Sequence, residues 1–162
     1  MLHRERDKVL RVINLVTDIP IGHDELQGHW GRYACLLSAG YFEIALRLVI
    51  QKRVENKATP EIQRFLLQSM EAIQNPKAER FCKVIRSFSA EWGDKLEIYF
   101  SENIEVKEAI DSLMANRHLI AHGKPCAISV GRVSDYFKSG DKVIDYLDDL
   151  LNGISQPEVN SN

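Results

Sequence analysis

The stretch DELQGHWGRYACLLSAGYFEIALRLVIQKRV, residues 24–54, decides the fold class. Apolar side chains recur along it every three or four residues, which is the spacing of one face of an α-helix. They are Trp30, Tyr33, Leu36, Leu37, Tyr41, Ile44, Ala45, Leu48 and Val49. This nearly unbroken pattern predicts one long helix as the spine of the domain. Glycine in a helix interior costs roughly 0.5–1 kcal/mol relative to alanine, so Gly40 predicts that another helix crosses closely there.

The same helical spacing continues along the rest of the chain. It predicts further helices over residues 5–17, from Pro60 to Ile73, along the stripe Phe81 to Phe88, from Ser89 to Phe100, over 104–122 and over 129–151. Thr59 is expected to cap the helix that Pro60 opens. Gly140 is expected to interrupt or bend the last helix. Short connections favour antiparallel neighbours, so the sequence predicts an all-α antiparallel helical bundle of about six to seven helices.

Composition limits the class of protein. We expect residues 1–154 to form one domain and residues 155–162, SQPEVNSN, to form a polar disordered tail. The 21 Lys and Arg against 23 Asp and Glu leave a formal charge of −2. A constitutive duplex-DNA binder is usually basic, so any contact with nucleic acid must be local.

The cysteines and the apolar runs indicate the cellular location of the protein. Cys35, Cys82 and Cys126 are widely separated and form no C-x-x-C pair, which argues against a disulfide framework and a zinc ribbon. We expect no apolar run to approach the ~18 residues of a membrane span. We therefore expect a reduced cytoplasmic location and no membrane.

Positive charge gathers in MANRHLIAHGKP, residues 114–125, which contains Arg117, His118 and His122 and no acidic residue. The stretch is predicted to end a helix, since Gly123 suits a left-handed terminal residue and Pro125 prevents continuation. His118 and His122 are four residues apart and share one side of that helix. Basic side chains also complement the dipole of a helix end by typically 0.3–1 kcal/mol, so a structural explanation stands beside a functional one.

The helix that carries this stretch has a predicted core stripe of Val106, Ala109, Ile110, Leu113 and Ile120. Leu119 lies on another side, so the last turns are apolar around more of their circumference than a solvated helix end requires. A second protein surface, such as a dimer partner, would explain this.

A metal site is disfavoured by the spacing. The catalytic zinc motif is H-E-x-x-H, and Leu119 occupies the position of its glutamate. No third ligand is evident, because His23 and His29 are distant in sequence. We expect neither a metal nor another cofactor.

The run NRHLIAHG, residues 116–123, resembles the R-x4-6-H signature of the HEPN superfamily of all-helical domains. Arg117 matches the arginine, His118 the polar residue that commonly follows, and His122 the histidine. The resemblance extends over roughly residues 20–150 to one branch, the RiboL-PSP-type HEPN domain. It is carried by HWGRYACLLSAGYFEIALR, NPKAERFCKVIRSFSAEW and AIDSLMANRHLIAHGK.

This resemblance implies a homodimer in which two signature helices meet in one cleft and, in active members, metal-independent cutting of RNA. His122 would exchange protons with the 2′-hydroxyl or the leaving oxygen, since histidine can do both near neutral pH. Arg117 would hold the scissile phosphate through bidentate hydrogen bonds. Attack by the 2′-oxygen leaves a 2′,3′-cyclic phosphate and requires RNA.

Five further residues are candidates for binding or orienting RNA: His118, Asn116, Lys124, Glu43 and Arg32. Each has a structural alternative. A polar helix face suits His118 and Asn116, and a solvated loop suits Lys124. An ion pair or exposure suits Arg32, and a structural polar contact near the signature helix suits Glu43.

Two functions remain open. One is a ribonuclease acting as a toxin or antiviral-defence effector, with an antitoxin or regulatory partner. The other is a non-catalytic module that binds RNA, a nucleotide or a protein. In HEPN toxins silenced by a nucleotidyltransferase, a tyrosine two residues after the histidine is modified, and Lys124 stands at that position. Control through that tyrosine is therefore not expected.

Overall fold

The computed structural model describes residues 1–17, 24–55 and 57–153. These ranges contain seven helices: α1 (Leu2–Thr17), α2 (Asp24–Glu55), α3 (Pro60–Glu71), α4 (Ala78–Phe88), α5 (Ala90–Glu102), α6 (Ile104–Ala121) and α7 (Val130–Asn152). No strand occurs among the described residues, and the all-α bundle predicted from the sequence is confirmed. His23 and the predicted tail, residues 155–162, lie outside the described residues.

The predicted helix starts agree with the observed caps. Thr59 precedes α3 in an extended conformation, with Pro60 in the first turn. The hydroxyl of Ser89 accepts a hydrogen bond from the amide of Trp92, and the hydroxyl of Ser129 accepts one from the amide of Arg132. These contacts satisfy amides that the helix itself leaves free.

The long helix α2 is the centre of the bundle and packs against α1, α6 and α7, with α3 beside its carboxyl end. The thiol of Cys35 points to the carbonyl of Leu113, so α6 passes along α2. α6 runs antiparallel to α2 and α7, whereas α2 and α7 run parallel. This arrangement gathers the amino ends of α2 and α7 and the carboxyl end of α6 at one end of the molecule.

Two glycines differ from expectation. α7 continues unbroken through Gly140, and the prediction of an interruption there was wrong. The missing side chain makes room for the core instead, because an added Cβ would lie 2.9 Å from the ring of Phe42 and 3.1 Å from Ile110. The predicted crossing at Gly40 was also wrong within this chain, since nothing lies within 4 Å of an added Cβ.

A partly buried ion cluster joins α1, α2 and α7. Nε of Arg6 lies 2.6 Å from Oδ2 of Asp141, and the hydroxyl of Tyr41 donates to Oδ1 at 2.5 Å. Burial raises the pKa of Asp141, while the contacts with Tyr41 and Arg6 oppose that shift. The cluster fixes α1 on α2 and α7.

The expectation that no segment approaches a membrane span needs correction for α2. Residues Glu25–Glu55 are long and apolar enough to cross a membrane by length and composition alone. More than half of the apolar window is buried inside the bundle, and a central core helix passes the same test.

Candidate functional site

The carboxyl end of α6 has a defined capping structure. The amide of Gly123 donates to the carbonyl of Ile120 at 3.1 Å, and the amide of Lys124 donates to that of Leu119 at 2.9 Å. Gly123 has a φ of +64°, the left-handed conformation expected for it. Together these form a Schellman motif, in which glycine follows the last helical turn and the last carbonyls are satisfied. The motif ends α6 with His122 at the cap position.

The two histidines lie one above the other at this end. The ring centroids of His118 and His122 are 4.3 Å apart with planes inclined by 58°, as their four-residue spacing predicts. Both side chains are exposed, whereas Arg117 is half-buried. We call Arg117, His118, His122 and Lys124 the cationic end of α6. Its histidines are open to a ligand from solvent.

The segment after the cationic end, which contains Cys126 and Ile128, packs against α2. An added Cβ at Gly31 would lie 2.0 Å from the carbonyl oxygen of Ile128, so only glycine permits this approach. Arg32 donates from Nη1 to the carbonyl of Cys126 at 3.5 Å and from Nη2 to Nδ1 of His29 at 2.9 Å. Arg32 is therefore brought beside the cationic end, as a lining residue requires.

Asn116 links α6 to the same segment. Its Nδ2 donates to the carbonyl of Ser112 at 2.8 Å, and its Oδ1 accepts from the thiol of Cys126 at 3.2 Å. An amide group offers two donors and two acceptor lone pairs, so one of each is left for a ligand. Asn116 thus orients the site while retaining binding capacity.

Glu43 lies elsewhere. Its carboxylate accepts a hydrogen bond of 2.6 Å from the amide of Asn75, in the connection between α3 and α4. Glu43 follows Arg32 by eleven residues, which places it about 16 Å further along α2. The structure does not bring it to the cationic end, and its polar contact is structural but is made with the connection between α3 and α4.

The sequence around the cationic end lacks acidic residues. Between Asp111 and Asp135 the sequence contains neither Asp nor Glu. Some cations elsewhere in the bundle lie beside carboxylates, as Arg86 lies beside Asp94. In the described ranges, no carboxylate lies within ion-pair distance of the following basic side chains: Arg32, Arg117, Lys124 and Arg132. A chain of net negative charge thus has one interval that carries cations and no acidic residue, which favours an anionic ligand there.

Sequence reasoning missed three contributors to this end. Gly31 fits the helical pattern like Gly40, and nothing in the pattern shows which glycine meets a neighbour. Arg132 and Tyr136 lie in the first turns of α7, where the guanidinium carbon is 5.7 Å from the ring centroid. The only available signal was the long interval without acidic residues, which extends as far as Arg132.

A comparison with protein families identifies the fold. The RiboL-PSP-HEPN family model matches residues 2–153. The chain belongs to the RiboL-PSP-HEPN family. Searches among curated proteins and among solved structures give no match. Within the described part of this HEPN domain, no group of three or more His, Cys, Asp or Glu side chains is placed to hold a metal ion.

The arrangement in this HEPN domain suits phosphate chemistry. A half-buried arginine can hold a phosphate in two hydrogen bonds, and an exposed histidine nearby can take or give a proton. Two histidines with rings in contact can divide the work, so that one takes a proton and the other gives one. The geometry is therefore that of a candidate site for a nucleic-acid backbone.

The contact at Gly31 generates a stability prediction. We expect Gly31→Ala to lower the free energy of unfolding by about 1–3 kcal/mol, because the new methyl group overlaps the Ile128 carbonyl. It should also expose Cys126, measured as faster reaction with Ellman's reagent at pH 8. Burial raises the pKa of Cys35 to about 12 and of Cys82 to about 11, so these thiols stay protonated and slow at that pH.

Gly28→Ala is the matched control. It lies three residues earlier on α2, and its nearest neighbour is the end of the Arg32 side chain at 3.9 Å. It should leave stability and thiol reactivity close to those of the unaltered protein. Equal effects of the two substitutions would contradict the proposed role of Gly31.

Proposed function

We propose that this HEPN domain is a metal-independent endoribonuclease that cuts RNA in a cleft formed by two copies of the chain, and that it acts as a toxin or defence effector. The observation that carries the proposal is the cationic end of α6. Arg117 and His122 lie there without a carboxylate partner among the described residues, in a domain whose family includes ribonucleases.

The reaction needs a proton acceptor and a proton donor. A histidine removes the proton from the 2′-hydroxyl, and the 2′-oxygen forms a bond to phosphorus. The bond from phosphorus to the 5′-oxygen breaks, and a protonated histidine gives its proton to that oxygen. Arg117 neutralises the charge that develops on the phosphate oxygens. We assign His122 to proton transfer, with the second histidine supplied by His118 or by the His122 of a second copy.

The outer face of α2 supports the dimer. Four apolar side chains on it are exposed by 39–46%: Leu26, Tyr33, Leu36 and Ile44. We call them the open face of α2. Gly40 lies among them with free space above it, so a helix from another chain can approach closely. Contiguous exposed apolar surface marks interaction sites in many proteins.

The open face of α2 borders the cationic end. Leu36 follows Arg32 by four residues, so the two side chains lie one above the other on α2. Arg32 in turn reaches the carbonyl of Cys126 in the segment after α6. Leu119 and Ile120 in the last turn of α6 are only partly buried. Pairing of two chains over this surface would bring both cationic ends into one cleft.

The catalytic roles are tested by substitution. We expect the purified protein to cleave RNA in excess EDTA, and Arg117→Ala and His122→Ala each to lower the cleavage rate about a hundredfold or more. Both side chains reach solvent, so circular dichroism and the melting temperature should change little.

His3→Ala and Arg64→Ala are matched controls, since both side chains are exposed and belong to α1 and α3. His3 lines a cavity with Leu48 and Lys52, at the end of the bundle opposite the cationic end. Both controls should cleave at the unaltered rate. Full activity of Arg117→Ala and His122→Ala would refute the assignment.

The dimer is tested on the open face of α2. We expect the protein to sediment as a dimer and Ile44→Lys to sediment as a monomer, because a buried ammonium group would weaken the interface. Cleavage should fall at least about tenfold, since a composite cleft is lost.

Ile62→Lys on α3 is the control, with an isoleucine that is 52% exposed. It should leave the protein dimeric and active. A monomer that cleaves at the full rate would contradict the composite cleft. A dimer that binds RNA and never cuts it would favour the non-catalytic module.

A further inference from the structure

A cavity of about 380 Å³ lies beside the cationic end of α6, between that helix and the first turns of α7. It is lined by Asn116, Ala127, Ile128, Ser129, Arg132 and Tyr136. Cavities of about 300–1,000 Å³ with a few convergent polar groups are typical of small-ligand sites. The size therefore suits one nucleotide.

The wall formed by α7 carries an aromatic ring and a guanidinium group together. The guanidinium carbon of Arg132 is 5.7 Å from the ring centroid of Tyr136, a cation–π distance. Tyr136 is partly buried and packs against the core, so its ring is held in place. Arg132 is exposed and has no carboxylate in ion-pair distance among the described residues. Its charge is available to a ligand.

Tyrosine rings and arginine planes are surfaces on which unstacked RNA bases lie. Stacking tolerates any base, because every base has an aromatic face. A duplex offers no such base, so this wall suits a single strand. The cation beside it suits the phosphate of the same nucleotide.

The cavity adjoins the residue proposed to hold the phosphate. Asn116 lines the cavity and immediately precedes Arg117. At 100° per residue, Arg117 lies between Asn116 on one side of α6 and His118 on the other. A strand whose scissile phosphate meets Arg117 therefore has a neighbouring nucleotide at the mouth of the cavity. Asn116 lines the cavity from α6 and keeps one donor and one acceptor beyond its contacts with Ser112 and Cys126.

We propose that this cavity binds one nucleotide of single-stranded RNA next to the scissile phosphate, with Tyr136 and Arg132 holding its base and phosphate. The assignment rests on the proposed ribonuclease function and adds the residues that position the substrate. Tyr136 and Arg132 are positioning residues, since neither takes part in proton transfer.

The test measures binding apart from cleavage. The His122→Ala protein is titrated into a fluorescein-labelled single-stranded RNA octamer of mixed sequence in EDTA, and anisotropy gives Kd at several salt concentrations. Adding Tyr136→Ala should raise Kd about tenfold through lost stacking, and Tyr136→Phe should leave Kd within about twofold. Adding Arg132→Ala should raise Kd and reduce the salt slope by about 0.7, the value for one phosphate contact on a single strand.

Arg53→Ala is the matched control, because Arg53 lies 5.2 Å from the ring centroid of Trp92 in the same kind of pair elsewhere on the bundle. It should leave Kd and the salt slope unchanged. Each variant is first checked by thermal melting. If Tyr136→Ala does not fold, Arg132→Ala decides whether the cavity binds RNA, because the Arg132 side chain is exposed.

Failure of this inference is distinguishable from failure of the proposed function. Unchanged Kd and salt slope in folded Arg132→Ala and Tyr136→Ala would overturn the cavity assignment, even where the unaltered protein cuts RNA through His122. Equal losses in Arg53→Ala would overturn it too. In contrast, RNA binding that depends on Tyr136 and Arg132 would support it even in a chain that never cuts RNA.

Discussion

The approach of the Ile128 carbonyl to the backbone of α2 at Gly31 is the constraint on which the candidate site depends. Any side chain at position 31 would overlap that carbonyl, with a Cβ only 2.0 Å away. The contact places the segment after α6 directly on α2. In that segment the carbonyl of Cys126 accepts a hydrogen bond from Arg32, and the thiol of Cys126 donates one to Asn116. One close contact between backbones therefore holds together the segment where α2, α6 and α7 meet.

The positive charge at this end depends on the absence of acidic residues in the sequence as much as on the presence of basic ones. Several other cations of the bundle lie beside carboxylates, as Lys107 lies beside Asp111 at 2.9 Å. The interval from residue 112 to residue 134 supplies arginine, lysine and histidine without an acidic residue. Unpaired cations that lie close together raise the local concentration of an anionic ligand, and each phosphate contact releases counterions. A chain of net negative charge can thus offer a local site for an anionic ligand.

The helices were predictable from the sequence, because their apolar spacing and their caps are local properties. The histidine pair was equally predictable, since four residues along a helix fix the contact between His118 and His122. The roles of Gly31, Gly40 and Gly140 were not predictable, because a sequence shows that a glycine in a helix is costly and not whether another group approaches it. Tyr136 was not predicted, since its place beside Asn116 depends on how α7 returns along α6. Residues brought together by tertiary packing leave no local pattern.

The ends of the RNA products test the central claim most directly. A chemically defined RNA oligonucleotide is incubated with the protein in excess EDTA, and the fragments are weighed by mass spectrometry. Attack by the 2′-oxygen predicts an upstream fragment with a 2′,3′-cyclic phosphate and a downstream fragment with a 5′-hydroxyl. Fragments with a 3′-hydroxyl and a 5′-phosphate, or cleavage of the all-deoxy oligonucleotide, would contradict it.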